Sequence, residues 1–475
     1  MPFADNILTH ARPDSIRRNV LLPRRQHYYP SPADWRDEVL YFLLVDRFSD
    51  EASRPLLDRR NLRAARPRLP NGQDWRWDRW QGGTIRGVKS RLDYLKNLGV
   101  STLWLSPVFK QRGHLDTYHG YGIQDFLEVD PRFGSRQDLV DLVAEAHAQG
   151  LRIILDIIFN HSGHNWLYPA NTPGGPDTPV YTTGRHSFGT WRDAQGQPVA
   201  AIQGREDGVW PSEFQDVDYY TRAGNGNLGA GDINDPNAEH KRTDFITLRD
   251  FSLGEPDVLT DLALCYKYWI ALTDCDGFRI DTLKHVSLEE ARNFCGTIKE
   301  FAANLGKADF FLVGEVAGGD YAQDRYLDVL ERNLNAALDI GAMRLDLNGV
   351  AKGLAHPVAY FDGFDPGDAE MGSHRNLGGR HVSILDDHDH VFGEKVRFSS
   401  EAASERQVVA GVALQLFTLG IPCIYYGTEQ SLGGLSRRKG NGCRAGRPPT
   451  GTCERLCLGQ TIRCEAGWTA CSLER

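Results

Sequence analysis

From about residue 80 the apolar positions of this chain fall into two alternating rhythms. Ile85, Val88, Leu92, Leu95 and Leu98 recur at helical spacing, Gly99 closes that helix, and residues 102–105 then read as a strand. Ser135 can cap a helix whose inward face is Leu139, Leu142, Val143 and Ala146, and Gly150 stops it before a strand at 153–158. Ser287, with Glu290 three residues on, forms a capping box for a third helix running toward Gly306 and the strand 310–313. Short apolar runs at 39–45, 102–105, 153–158, 278–280, 310–313, 336–338, 382–385 and 423–426 make eight strands, the sixth having the weakest pattern. Helices alternating with buried strands require a parallel sheet, and eight such strands close on themselves. The fold class is therefore α/β, a (β/α)8 TIM barrel. Residues 408–426 are uncharged for 19 positions, but Gln415, Gly420 and Pro422 divide them into a helix and a strand, so they read as core rather than as a membrane span.

The alternation breaks over residues 162–255, which are rich in Pro, Gly, Asn and aromatics and too long for a loop. This stretch reads as an irregular domain inserted after the third strand. The expected organisation is an N-terminal extension over 1–35, a barrel over 36–161 and 256–432, the insert, and a tail over 433–475. The net charge of −9 is uneven: residues 1–70 carry 13 Arg against 9 acids and residues 436–475 carry 8 basic against 3 acidic groups, so the acidity lies in the middle. An acidic body repels phosphate backbones and anionic lipids, which argues against nucleic acid and membranes as partners. Residues 1–30 lack the apolar stretch of a secretory signal, so a cytoplasmic location is expected. Arg12, Arg17, Arg18, Arg24 and Arg25 would suit an organelle transit peptide, but Asp5 and Asp14 weigh against that, and a solvated extension is the expectation. Nine cysteines, five of them in the last 33 residues, are then expected as free thiols.

Four of the strands end in segments that carry acids: Asp156 to His161, Gly277 to Asp281, Gly314 to Val316, and Asp386 to Asp389. In a parallel barrel these ends share one face, where such barrels do chemistry. Two carboxylates in one pocket suit glycosidic bond cleavage, about 5 to 5.5 Å apart in a retaining enzyme and about 6.5 to 9.5 Å apart in an inverting one. Alternation along the fourth strand puts Arg279 and Asp281 on one side, and the cation is expected to lower the Asp281 pKa and fit it as a nucleophile. Glu315, between Gly314 and Val316, is expected in a more apolar setting that keeps it protonated as the acid. Asp389, beside His388, adds a third carboxylate. The insert offers Asp216, Asp218, Asp232 and Asp235 to a hard cation such as Ca2+, without the spacing of a fixed loop. Its Trp166, Trp191 and Trp210 either stack on sugars or fill a small core.

These segments together closely resemble the α-amylase superfamily of glycoside hydrolases. Asp156 to His161 is similar to its first signature, GFRIDTLKH at 277–285 to its second, Gly314 to Val316 to its third and Ile384 to Asp389 to its fourth; LWLSP at 103–107, His119-Gly120-Tyr121 and GIPCIYYGTE at 420–429 add further matches over residues 36–432. The resemblance implies a retaining α-glucan hydrolase or transglycosylase with Asp281 as nucleophile, Glu315 as acid/base and Asp389 as transition-state stabiliser. It implies that Tyr121 stacks on the sugar, that His119, His161, Arg279 and His388 contact its hydroxyls or the acids, and that Lys284 and His285 face the next subsite. Asn160 resembles a calcium ligand joining barrel and insert, and no organic cofactor is implied. One departure is Asp387, where the family most often has Asn.

After Glu429 the family continues with an eighth helix and a β-sandwich, whereas residues 436–475 hold 7 Arg, 6 Gly and 5 Cys without periodicity. A frameshift near residues 435–441 is the expectation, and the nucleotide sequence decides it. Two alternatives stand beside the glycosidase reading. One is a metal-dependent hydrolase using Asp386, Asp387, His388, Asp389 and His390; the other is a non-catalytic, truncated amylase-like protein that binds glycans or partners. No motif reports on hydrolysis against transfer, on linkage or on oligomeric state.

Overall fold

In a computed structural model of the chain, the described residues are 3–4, 12–18, 22–23, 25, 27–51, 80–232, 234–316, 332–338, 342–362, 379–388 and 397–431. Eight strands follow one another: β1 (Leu40–Leu43), β2 (Thr102–Leu105), β3 (Arg152–Ile157), β4 (Gly277–Ile280), β5 (Phe311–Glu315), β6 (Ala336–Leu338), β7 (His381–Ser383) and β8 (Ile421–Tyr425). Every neighbouring pair is parallel, and β8 returns to β1 through Cys423↔Leu40 and Tyr425↔Phe42, which closes the barrel. The eight expected strands are all present, including the faint sixth. Strands covered on both faces need apolar residues at successive positions, and β1, β2 and β4 are buried throughout.

The main helices around the barrel are α1 (Leu92–Leu98), α2 (Arg136–Ala148), α3 (Pro256–Thr273), α4 (Leu288–Asn304), α5 (Ala342–Ala351) and α6 (Glu405–Leu416). Their ends follow the expected chemistry. Ser135 with Asp138 and Ser287 with Glu290 form complete capping boxes, and Gly99 takes the left-handed conformation (φ 91°) that lets its N–H reach the last carbonyls of α1. The 408–426 run divides into most of α6 and then β8. No helix among the described residues is long and apolar enough to cross a membrane.

Two excursions stand over the barrel. The insert leaves and returns along an antiparallel pair, Arg249↔Ser162 and Asp250↔His161, and contains a three-stranded sheet of Trp166–Leu167, Thr190–Arg192 and Pro198–Val199. Trp166 and Trp191 are buried and paired across this sheet, so they fill its core, and half-buried Trp210 lies under the Arg12 guanidinium. The second excursion, after β2, is a hairpin of Phe109–Gln111 and Ile123–Val129 that the periodicity does not announce.

The solvated N-terminal extension is corrected. Arg12 is buried and paired with Asp125, Ile16 is buried, Arg17 reaches Asp261 on α3 at 2.7 Å, and Tyr29 stacks on His147 at 4.0 Å. Arg12 and Arg17 answer carboxylates of the body and Arg25 answers the Ala271 and Leu272 carbonyls, which is why an apparently polar stretch is held down. Cys265, Cys275, Cys295 and Cys423 are buried free thiols. Cys443, Cys453, Cys457, Cys464 and Cys471, the expected tail, Asp389 and His390 lie outside the described residues.

Candidate active site

The C-terminal ends of β3, β4 and β5 bring three acids onto one cation. The register pairs Asp156 on β3 with Arg279 on β4, and Asp281 and Glu315 follow at the ends of β4 and β5. Arg279 Nη1 lies 2.9 Å from Asp156 Oδ1 and 2.7 Å from Asp281 Oδ1, while Nη2 lies 2.9 Å from Glu315 Oε2. Asp281 and Glu315 therefore sit on the two Nη atoms of one guanidinium. Carboxylates gathered this closely on one cation titrate together rather than one by one.

Burial decides the electrostatics. Asp281 is only 6 % exposed and is raised to about 6, because desolvation and the charge of Asp156 outweigh the lowering by Arg279. Asp156 is likewise raised to about 6 by burial against the same guanidinium. The expectation that Arg279 would hold Asp281 below its ordinary value is therefore corrected: the cation is present, but the dry setting is stronger. The setting of Glu315 is corrected too. Gly314 and Val316 flank it, yet its carboxyl accepts the Thr282 N–H at 2.7 Å as well as Arg279. Thr282 adopts a left-handed backbone (φ 50°), an unfavourable state for a β-branched residue, and that conformation aims the amide.

A second layer surrounds the acids. Trp104 on β2 donates Nε1–H to Asp156 Oδ2 at 3.0 Å, and the Tyr121 hydroxyl donates to the same oxygen at 3.1 Å while lying 2.8 Å from His388 Nε2. Tyr121 stacks on His388 at 5.4 Å, and His388 stands edge-on to Phe42 of β1. His119 accepts the Tyr121 N–H at 3.1 Å. His161 is buried and lowered to about 3 by desolvation; its Nε2 has no hydrogen-bond partner among the described residues and points at Asp281 Oδ2 from 3.9 Å.

Thus Tyr121, His119, His161, Arg279, Asp281, Glu315 and His388 converge. His285 stands apart. Its Nδ1 meets the His240 carbonyl at 2.5 Å and its ring abuts Phe245, joining barrel to insert, and half-buried Lys284 shares the same 3-10 turn. Asn160 donates to Asp250 Oδ1 at 2.7 Å. The four acids of the insert do not converge: Asp216, Asp232 and Asp235 each cap a local turn and Asp218 pairs with Arg222. No group of three or more His, Cys, Asp or Glu is placed to hold a metal ion among the described residues. The alternative metal set also disperses, since Asp386 accepts from Phe398 N–H and Thr428, Asp387 pairs with Arg344, and His388 turns to Tyr121. Sequence reasoning left out Trp104, Phe42, Phe245, Asp250 and Arg344. Trp104 was legible as the residue facing inward within LWLSP; the others depend on contacts between elements distant in the chain.

A family model described as the α-amylase catalytic domain matches residues 42–447. The chain belongs to the α-amylase family. Similar α-amylase family relatives include an alpha-amylase of Streptomyces lividans, 29% identical over 397 residues that cover 76% of this chain and 41% of the relative. A cyclomaltodextrinase of a Bacillus species is 28% identical over 415 residues, covering 86% of this chain and 61% of the relative. The chain thus spans less than two thirds of these relatives. An acarbose-complexed alpha-amylase from Geobacillus thermoleovorans superposes with a TM-score of 0.58 at 26% identity, over 91% of this chain and 80% of that one. The α-amylase from Malbranchea cinnamomea, at 21% identity and a TM-score of 0.61 over 93% of this chain and 77% of that one, shares the fold.

Proposed function

We propose that this chain cleaves α-glucosidic bonds of starch-like glucans or maltooligosaccharides with retention of configuration, by double displacement. The observation that carries the reading is the placement of Asp281 and Glu315 on the two Nη atoms of one guanidinium, 2.7 and 2.9 Å away, which gathers the two carboxyls at adjacent strand ends as a nucleophile and its acid partner require. In the first step Glu315 gives its proton to the leaving oxygen while Asp281 Oδ attacks the anomeric carbon. In the second Glu315, now ionised, takes a proton from an acceptor hydroxyl, which displaces Asp281. Water as acceptor gives hydrolysis; a sugar gives transfer, the reaction named for a similar cyclomaltodextrin glucanotransferase of Klebsiella oxytoca, 26% identical over 441 residues.

Tyr121 is assigned the stacking platform for the sugar, and His161 Nε2 and His388 its hydroxyl partners. Asp389 completes the set as the carboxylate that steadies the developing positive charge. Lys284 is assigned to the acceptor side, with His285 behind it joining barrel to insert.

Calcium fits beside this site as a structural ion. Asp250 Oδ2 is buried with no hydrogen-bond partner among the described residues while Asn160 Nδ2–H holds its other oxygen, which leaves one carboxylate oxygen open to a hard cation. Held there, the ion would tie β3 to the base of the insert. Chelation is expected to lower the melting temperature and added Ca2+ to restore it; an identical melt in both states would remove calcium from the account.

The test of the reaction class is the anomer first released from a maltooligosaccharide, followed by proton NMR before mutarotation. The α-anomer is expected, and a β-anomer would exclude double displacement.

A further inference from the structure

Asp387 carries a charge that the reaction does not use. It is buried, and it stands between Asp386, which is held by the Phe398 N–H at 2.9 Å and the Thr428 hydroxyl at 3.0 Å, and His388, which is held by Tyr121 at 2.8 Å. Its own Oδ2 lies 3.1 Å from Nη1 of Arg344, a buried residue of α5, the helix after β6. Three successive side chains are therefore fastened to three different parts of the barrel. A buried carboxylate without a cation is strongly unfavourable, and here it would stand one residue from the His388–Tyr121–Asp156 chain that leads to Arg279.

We infer that Arg344 is a positioning residue: it neutralises Asp387 so that the segment 386–388 presents His388 to Tyr121 and adds no net negative charge to the acids around Arg279. This inference rests on the glycosidase reading of the site. Among the described residues the groups facing Asp387 are Arg344 from α5, Asp386 and His388 from its own segment, and Cys423 from β8, whose thiol feels its charge; Asp386 in turn feels both Arg397 and Arg344. Among the described residues, Arg344 is the cation that forms an ion pair with Asp387.

The test is the pH profile of kcat/KM on 4-nitrophenyl α-maltotrioside for Arg344→Met, Arg344→Lys, Asp387→Asn and the Arg344→Met/Asp387→Asn pair. Uncovering the Asp387 charge disfavours ionisation of the nearby acids, so Arg344→Met is expected to move the acid limb up by about one pH unit. Asp387→Asn leaves the guanidinium uncompensated and moves the limb the other way. Arg344→Lys and the double variant return it to the wild-type position. Limbs unmoved in both Arg344→Met and Asp387→Asn, with only thermal stability lowered, would overturn the inference; if Arg344→Met does not fold, Asp387→Asn decides alone. A 13C titration of labelled side-chain carboxyls in wild type and Arg344→Met needs no turnover. A shifted titration in a protein inert toward α-glucosides upholds the charge coupling and rejects the glycosidase reading, whereas turnover with an unshifted limb rejects the coupling alone.

Discussion

Arg279 countering three carboxylates has a direct consequence for pH. In the free protein Asp281 is raised to about 6, and it attacks only when ionised, so kcat/KM is expected to fall as pH drops through about 6 rather than through the ordinary carboxylate range near 4. A pH profile with its acid limb near 4 would contradict this. Glu315→Gln is expected to lose about 10²–10⁴-fold in kcat on a substrate whose leaving group needs a proton, and far less on α-glucosyl fluoride, whose leaving group does not. Equal losses on both substrates would remove the acid role. The identities of these residues were legible because strand alternation places Arg279 and Asp281 on one side, and Glu315 closes the next strand. The surroundings of these acids were not, because local sequence says nothing about the water excluded over Asp281 or about the Thr282 amide aimed at Glu315.

At the level of elements, β4 and β5 must lie close for Arg279 to reach Glu315, and Gly277 permits it. A Cβ on Gly277 would fall 2.6 Å from the Cβ of Phe311 and 2.7 Å from its carbonyl oxygen, so one strand would have to move. Gly277→Ala is expected to cost about 1–3 kcal/mol in denaturant unfolding and to lower kcat along with stability. Wild-type stability and turnover in that variant would show that the two strands have slack. The helices were legible from both ends: the periodic faces name the buried residues, and the serine caps with their third-position acids fix the starts of α2 and α4. The hairpin 109–129, which carries Tyr121, escaped because its pairing is shifted at two points and much of it is buried on both sides, leaving no clean alternation.

Across the whole molecule, the N-terminal segment is braced against the hairpin after β2 and against the insert, Arg12 pairing with Asp125 and lying over Trp210. Arg12 and Asp125 are both buried, so Arg12→Ala is expected to leave an unpaired carboxylate and cost about 3–5 kcal/mol, read by denaturant unfolding. A loss under about 1 kcal/mol would return the segment to the solvated role its composition suggested. That composition misled because an arginine-rich stretch reads the same whether its partners are water or distant aspartates. Buried histidines set a second global property. His161 and His381 are lowered to about 3 and His285 to about 4, mainly by desolvation, so the unfolded chain takes up protons near 6.5 that the folded chain refuses. Their contribution to stability is full above about 6.5 and is lost as pH falls below it, and the melting temperature should drop there. Asp156 and Asp281, raised to about 6, oppose this at lower pH because the folded chain then holds the extra protons. The barrel brings together acids separated by more than a hundred residues, and the most direct measurement of what they do is mass-spectrometric trapping with a fluorinated α-glucosyl reagent. One glycosyl group bound to Asp281 is the predicted result, and folded protein that turns over substrate yet carries no label there, or carries it on another residue, would contradict the account.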